Sequence, residues 1–484
     1  VANTIYWHDY ETFGSDPRRD RASQFAGIRT NEALEEVGEP LVMYCKPAPD
    51  MLPHPEACLI TGITPQKALA DGVCEAEFIK HIHDELSVPG TCTAGYNSIR
   101  FDDEVTRQLL YRNFYDPYER EWKNGNSRWD IIDTVRLCHA VRPEGINWPT
   151  RDDGAVSFRL EELTAANSIA HEGAHDALSD VRATIALAAL VRQQQSKLFD
   201  YAFDLRRKQA VMEKIDLVDH KPLLHVSSMY PARLGALAPV VPLCRHPRDN
   251  NGIIVCDLRN DPSDWLKLSA AAIQARLFVA EEDLPEGTSR IPLKVLHINR
   301  CPMIVPLNAL DNERARLFEV DMRACKRHWQ KLIDVDGLNE RLAEVFRPGE
   351  SIEPQSNSDP DLMLYGGGFF SDHDKREMSR VRATAPDALA DTRFDFHDKR
   401  LPEMLFRYRA RNYPESLTVN EQQRWQVFCA ERLTRENASL GAGIGWQEFQ
   451  LEMQRLKIER NGKSEREVLA ALQEYAATLT SGHD

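Results

Sequence analysis

Short apolar runs and helix-period stretches alternate along the first 195 residues. Thr4-Ile5-Tyr6-Trp7-His8 reads as a strand, as do residues 24–30, 41–45 and 91–96, the last closing at Gly95. Residues 75–86 read as a helix, and so do residues 101–115, where Val105, Leu109 and Leu110 recur at helical spacing. A short strand over 130–133, a helix to about Val141, and helices over 159–166 and 177–192 complete the region. Strands interleaved with helices predict an α/β layer fold.

Past residue 196 the pattern changes. Pro222-Leu223-Leu224-His225-Val226, Gly252-Ile253-Ile254-Val255-Cys256 and Ile291-Pro292-Leu293-Lys294-Val295 are short β-type runs, parted by turn-rich stretches such as residues 246–252. Residues 311–345 read as helical. The Pro-, Ser- and Asp-rich residues 347–361 predict a linker, and residues 362–484 are charged and helix-forming. The expected organisation is therefore 1–195, an α/β domain; 196–346, a small β core with flanking helices; and 362–484, an α-helical C-terminal domain.

Composition narrows the function. The 484 residues carry a net charge of −15, which argues against holding nucleic acid by bulk positive charge but leaves room for a basic cleft. No run of about 18 apolar residues predicts a membrane span, and the N-terminal stretch lacks the basic start of a secretory leader. The ten cysteines are scattered with no CxxC pair, which fits a reducing cytoplasm better than a disulfide framework.

Three stretches carry candidate chemistry. Asp9 and Glu11 end the first strand two residues apart, so both face one side; alone, a solvated strand end explains them better. Asp102 follows a strand and a turn and opens a helix, where it also fits a helix cap. His175 and Asp180 flank the start of an apolar helix. Five residues do not share one face of a straight helix, so the pair works together only if His175 sits in the loop before it. A competing pattern overlaps here: His171-Glu172-Gly173-Ala174-His175 satisfies the HExxH zinc-protease expression, which needs both histidines on one continuous helix.

Taken together, Asp9-x-Glu11-Thr12, Asn97-x-x-x-Phe101-Asp102 and His175-x-Ala177-x-x-Asp180 resemble the DEDDh superfamily of 3′→5′ exonucleases in order and spacing. Further strings resemble the bacterial exodeoxyribonuclease I family: residues 8–14 (HDYETFG), 100–107 (RFDDEVTR), 111–118 (YRNFYDPY), 142–149 (RPEGINWP), 297–302 (HINRCP), 368–372 (GFFSD) and 408–412 (YRARN). The resemblance implies an RNase H-like mixed-sheet exonuclease domain, an SH3-like domain and a helical C-terminal domain. It implies processive release of 5′-mononucleotides from single-stranded DNA in repair and recombination, by a monomeric enzyme. Asp9, Glu11, Asp102 and Asp180 would hold two Mg²⁺ ions, with Mn²⁺ able to substitute, because hard cations prefer carboxylate oxygens. His175 would take the proton from the attacking water, and Glu11 would also meet the terminal 3′-hydroxyl.

Single strands are held by aromatic stacking and cationic contacts. Arg107, Tyr118, Trp122, Arg136 and Arg159 are the expected DNA contacts, and Arg407, Tyr408, Arg409 and Arg411 form a second basic and aromatic group. The resemblance also implies recruitment by the acidic tail of single-strand DNA-binding protein, with Arg142 as a candidate contact. An exoribonuclease of the same superfamily remains an alternative, since no residue visibly rejects a 2′-hydroxyl.

Overall fold

The computed structural model describes residues 3–171, 173, 175–347, 359–434 and 443–480. The chain forms two compact units: Val1–Ser127, Glu172–Arg182 and Glu353–Asp484 make one, and Arg128–His171 with Ala183–Ile352 the other.

The first sheet contains β1 (Thr4–Thr12), β2 (Ala22–Thr30), β3 (Leu41–Tyr44), β4 (Thr91–Gly95) and β5 (Ser127–Asp130), in the order β3-β2-β1-β4-β5. β1 lies at the centre, antiparallel to β2 and parallel to β4. Both of its faces are covered, which is why Ile5, Tyr6 and Trp7 are consecutive buried apolar residues rather than an alternation. The helix Glu75–Leu86 has the predicted bounds, and the helix Asp102–Arg112 falls within the predicted span. The strand expected over 130–133 lies earlier. Asp130 accepts a hydrogen bond from the Ile132 N–H at 3.2 Å and so caps a helix that already begins at Ile131.

The second unit holds an antiparallel sheet of β6 (Leu223–Val226), β7 (Leu237–Arg245), β8 (Gly252–Asp257), β9 (Leu293–His297) and β10 (Met303–Pro306), in the order β10-β6-β7-β8-β9. β7 escaped the sequence reading because Pro239 and Pro242 interrupt it. A bulge between Pro242 and Cys244 accommodates the second proline. Most of the predicted linker lies outside the described residues, but Asp359, Pro360 and Asp361 do not behave as linker.

Asp359 and Asp361 belong to a buried ionic network in the first unit. Arg411 reaches Asp50 at 2.7 Å and Asp361 at 2.6 Å. Arg407 pairs with Asp361 at 3.1 Å and with Asp359, and Arg432 meets Asp359 at 3.0 Å. Asp50 is fully buried; burial alone would raise its carboxyl, but Arg411, Arg432 and Arg21 outweigh burial and hold it well below the usual carboxylate range. The group 407–411 is thus a correction to the sequence reading. Arg407, Arg409 and Arg411 are sequestered in ion pairs, Arg409 with Glu421 at 2.7 Å, rather than offered to a nucleic acid. Tyr408 packs in an apolar cluster with Tyr111 and Phe114.

Removing one acid from such a network strands buried guanidinium charge. Asp361→Ala is expected to cost roughly 3–5 kcal/mol in urea denaturation, whereas a loss below about 1 kcal/mol, the level of an exposed pair, would show that solvent reaches the site.

Candidate active site

β1 carries Asp9 and Glu11 on a strand pinned on one side by β2, where Asp9 stands opposite Ala26 and Glu11 opposite Gln24. On the other side the ladder with β4 stops at Trp7 and Ala94, so Tyr10 has no strand partner there. Its N–H instead donates to Asp102 Oδ1 at 3.0 Å. Asp102 is therefore drawn to the end of β1 as the first residue of its helix, and its carboxylate serves the strand. Gly95 makes this turn possible: an added Cβ would stand 2.8 Å from the His8 carbonyl oxygen and 2.8 Å from Ser98 Cβ.

The third stretch is tied to the same place. Gln24 donates to Asp176 Oδ1 at 3.2 Å and accepts from the Ala177 N–H at 3.3 Å. Asp176 also accepts from the Ser179 N–H at 3.2 Å, capping the helix Ala177–Gln194. This fixes Asp180 in the first turn and leaves His175 in the preceding loop, exposed and in the left-handed region at φ 68°. One ligand atom each from Glu11, His175 and Asp180 lie within 4.8 Å of one another. The described residues of the HExxH stretch are not helical, and Gly173 is also left-handed at φ 77°, so the geometry that a zinc-protease motif requires is absent there.

The electrostatics show what the cluster lacks. Burial, then Asp102, Glu11, Asp180 and Asp176, hold the Asp9 carboxyl well above the usual range. Burial, then Asp180, Asp102 and Asp176, push Glu11 up to about 9. These acids oppose one another's ionisation. A set of hard oxygen donors that oppose one another's ionisation fits divalent cations such as Mg²⁺. Asp176 and Gln24 were not singled out from the sequence. An Asp just before a helix is a recognisable cap signal, but nothing local to Gln24 betrays its partner 152 residues away.

The expected DNA contacts differ in their surroundings. In the first unit, Arg107 forms a two-pronged pair with Glu121 at 2.7 and 3.0 Å and lies 5.5 Å from the centre of the Tyr118 ring, so its charge is largely neutralised. Trp122 is 65% exposed, an open stacking surface. In the second unit, Arg136 is buried against Asp133 at 2.6 Å. Arg159 is exposed, 3.7 Å from Glu162, and Arg142 donates to the Ala309 carbonyl at 3.0 Å.

The fold and the cluster define the exonuclease class, and the comparisons agree. Residues 6–188 match the Exonuclease family model, residues 206–348 the Exonuclease I SH3-like domain, and residues 358–479 the Exonuclease I C-terminal domain. The chain is 48% identical over 436 residues to Exodeoxyribonuclease I of Escherichia coli K12, covering 89% of this chain and 91% of that protein. It is 43% identical over 478 residues to Exodeoxyribonuclease I of Haemophilus influenzae, covering 98% of each. Among solved structures, Exonuclease I from Methylocaldum szegediense superposes with a TM-score of 0.92 at 50% identity, over 99% of this chain and 100% of that one. E. coli Exonuclease I in complex with a dA16 oligonucleotide superposes with a TM-score of 0.93 at 45% identity, over the same shares. The chain belongs to the exodeoxyribonuclease I family and is an exonuclease, a hydrolase acting on DNA. No helix among the described residues is long and apolar enough to cross a membrane.

The raised carboxyls make stability depend on pH. The folded chain keeps protons on Asp9 and Glu11 that the unfolded chain releases at ordinary carboxylate values. Their contribution is present at low pH and is lost as pH rises toward about 9, where Glu11 titrates. In chelator, the melting temperature of Glu11→Gln should fall less than that of the unsubstituted chain between about pH 6 and 8.5. Saturating Mg²⁺ should flatten the unsubstituted profile. Identical slopes for both proteins in chelator would contradict the assignment.

Proposed function

We propose that this exonuclease degrades single-stranded DNA processively from the 3′ end to 5′-mononucleotides, in DNA repair and recombination. In this reading, Asp9, Glu11, Asp102 and Asp180 hold two divalent cations, Mg²⁺ or Mn²⁺. The observation that carries it is the convergence of mutually repelling carboxylates from β1 and two helix starts, with His175 beside Glu11 and Asp180. The choice of substrate rests on the relatives, which include E. coli Exonuclease I bound to a dT13 oligonucleotide and a zinc-bound form of an E. coli ExoI–ssDNA complex.

When bound, such a pair of cations lowers the pKa of water and offsets negative charge on phosphorus and on the leaving oxygen. The protein's own part is to place and to move protons. His175, on an exposed loop, accepts the proton of the attacking water. Glu11 lies on the rigid strand, where its carboxylate would accept a hydrogen bond from the terminal 3′-hydroxyl. The open indole of Trp122 offers a stacking face to a base. Arg159 would meet a phosphate, while Arg107, Tyr118 and Arg136 would act within their existing contacts. The chain would work as a monomer in the cytoplasm.

The test uses 5′-end-labelled single-stranded DNA, and a matched RNA, with Mg²⁺ or chelator. Asp180→Ala should lower the rate by more than about a hundredfold, beyond what loss of an outer partner of a metal site costs. His175→Ala should lose about 10²–10⁴-fold, the contribution of a general base. Internal cuts, a faster reaction on RNA, or an active Asp180→Ala would overturn the reading.

For the partner, Arg142 is exposed and belongs to the segment that follows the helix Ile131–Val141. Its charge suits an acidic peptide such as the tail of single-strand DNA-binding protein. Arg142→Ala should weaken binding of that peptide about tenfold or more, since charged interface contacts of this kind cost about 2 kcal/mol or more when truncated. Unchanged affinity in a fluorescence-anisotropy titration would remove Arg142 from the interface.

A further inference from the structure

A second group of side chains, far from the carboxylates in sequence, has ligand atoms close enough to share a cation. A ring nitrogen of His373, a ring nitrogen of His397 and a carboxylate oxygen of Asp395 all lie within 4.8 Å of one another. The two imidazoles stack with centroids 4.1 Å apart and planes 9° from parallel. His373 Nε2 lies 2.7 Å from the Asp395 carbonyl oxygen and 3.5 Å from its Oδ2.

Besides the His373 Nε2 contact with the Asp395 carbonyl, the backbone around these ligands is fixed by bonds that do not involve the ligand atoms. His373 is the second residue of the helix Asp372–Ala383, whose N-terminus is closed by Ser371: its Oγ accepts the Asp374 N–H at 3.1 Å and donates to Asp374 Oδ2 at 2.7 Å. Asp395 and His397 stand two apart in one segment and are both exposed, on either side of the less exposed Phe396. That segment is fastened to the helix by two of its acids. Asp374 Oδ1 accepts the His397 N–H at 2.8 Å, and Glu377 Oε2 accepts the Asp395 N–H at 3.0 Å. Both acids are buried, at 2% and 7% exposure. Between the ligands, Phe396 turns inward and stacks on Phe394 at 5.7 Å and Phe114 at 6.3 Å. The backbone that carries the ligands is braced, and the side chains would have to turn from their stacked arrangement to face one cation.

We propose that His373, Asp395 and His397 form a second metal site, selective for a late first-row divalent cation of the Zn²⁺ class, which clips the 395–397 segment to the Asp372–Ala383 helix. Two imidazole nitrogens and one carboxylate oxygen, with water in the fourth position, form a common tetrahedral donor set for zinc. Mg²⁺ prefers oxygen donors throughout, so the two sites differ in chemistry. Tetrahedral zinc needs donors roughly 3.3 Å apart, from Zn–N bonds of about 2.0–2.1 Å. Asp395 and His397 are exposed and have room to draw in by that amount. A cation on His373 Nε2 would displace the hydrogen bond between that nitrogen and the Asp395 carbonyl oxygen. It would stabilise the fold by mass action without touching the hydrolytic cluster.

The test uses the full chain in an Asp180→Ala background with saturating Mg²⁺, because the Glu11–His175–Asp180 group also contains an imidazole. Equilibrium dialysis against ZnCl₂ should show one Zn²⁺ per chain more than in the same background carrying His373→Ala and His397→Ala. The zinc-dependent rise in melting temperature should disappear with those two substitutions. Without the Asp180 change, the same two substitutions should leave Mg²⁺-dependent exonuclease activity unchanged, which also reports that the fold is intact. Equal zinc uptake with and without the histidines would overturn the proposal. A second measurement needs no histidine substitution: zinc should protect His373 and His397 from diethyl pyrocarbonate, read by peptide mass spectrometry. Modification of both at the zinc-free rate would overturn the proposal as well.

Discussion

The site is organised by a repulsion. Asp9 and Glu11 are forced onto one face of a strand that cannot move, because β1 is pinned by β2 along its length and by β4 along its first half. Asp102 and Asp180 are brought up beside them, the first by the Tyr10 N–H and the second by a helix start anchored through Gln24 and Asp176. Without cations the cluster must hold protons, and burial raises the cost of ionising it further. The strain is local and electrostatic, and divalent ions would relieve it.

The same chain treats its buried charges elsewhere in the opposite way. Asp50, Asp361 and Glu75 are buried with arginines against them. Burial would raise Glu75, but Arg112 and Arg21 prevail and hold it down to about 2. The largest influences on Asp9 and Glu11, by contrast, are burial and neighbouring acids. Acids paired with arginines brace the first unit, whereas the acids at the end of β1 chiefly face one another. This contrast separates the two sets of carboxylates more clearly than burial does, since Glu11 and Glu75 are buried to a similar degree.

Much of this was legible in the sequence, because it rests on local spacing. The Asp-x-Glu alternation along a strand, the turn at Gly95 before Asp102, and a histidine just ahead of an apolar helix can each be read from a few neighbouring residues. The illegible parts depend on partners distant along the chain. Arg407, Arg409 and Arg411 look like a nucleic-acid patch until Asp50, Asp361 and Glu421 fold against them. β7 hides behind its two prolines, and Gln24 gains its role only when Asp176 arrives. His373 and His397 lie 24 residues apart and become neighbours only through Asp374 and Glu377.

Proton release on cation binding tests the central claim most directly. Mg²⁺ or Mn²⁺ would be titrated calorimetrically into the chain near neutral pH, in two buffers of different ionisation enthalpy. Since Glu11 titrates only at about 9 without metal, binding should release about one proton or more per chain. The same heat in both buffers, meaning that no proton leaves, would contradict a cluster of protonated carboxylates waiting for cations.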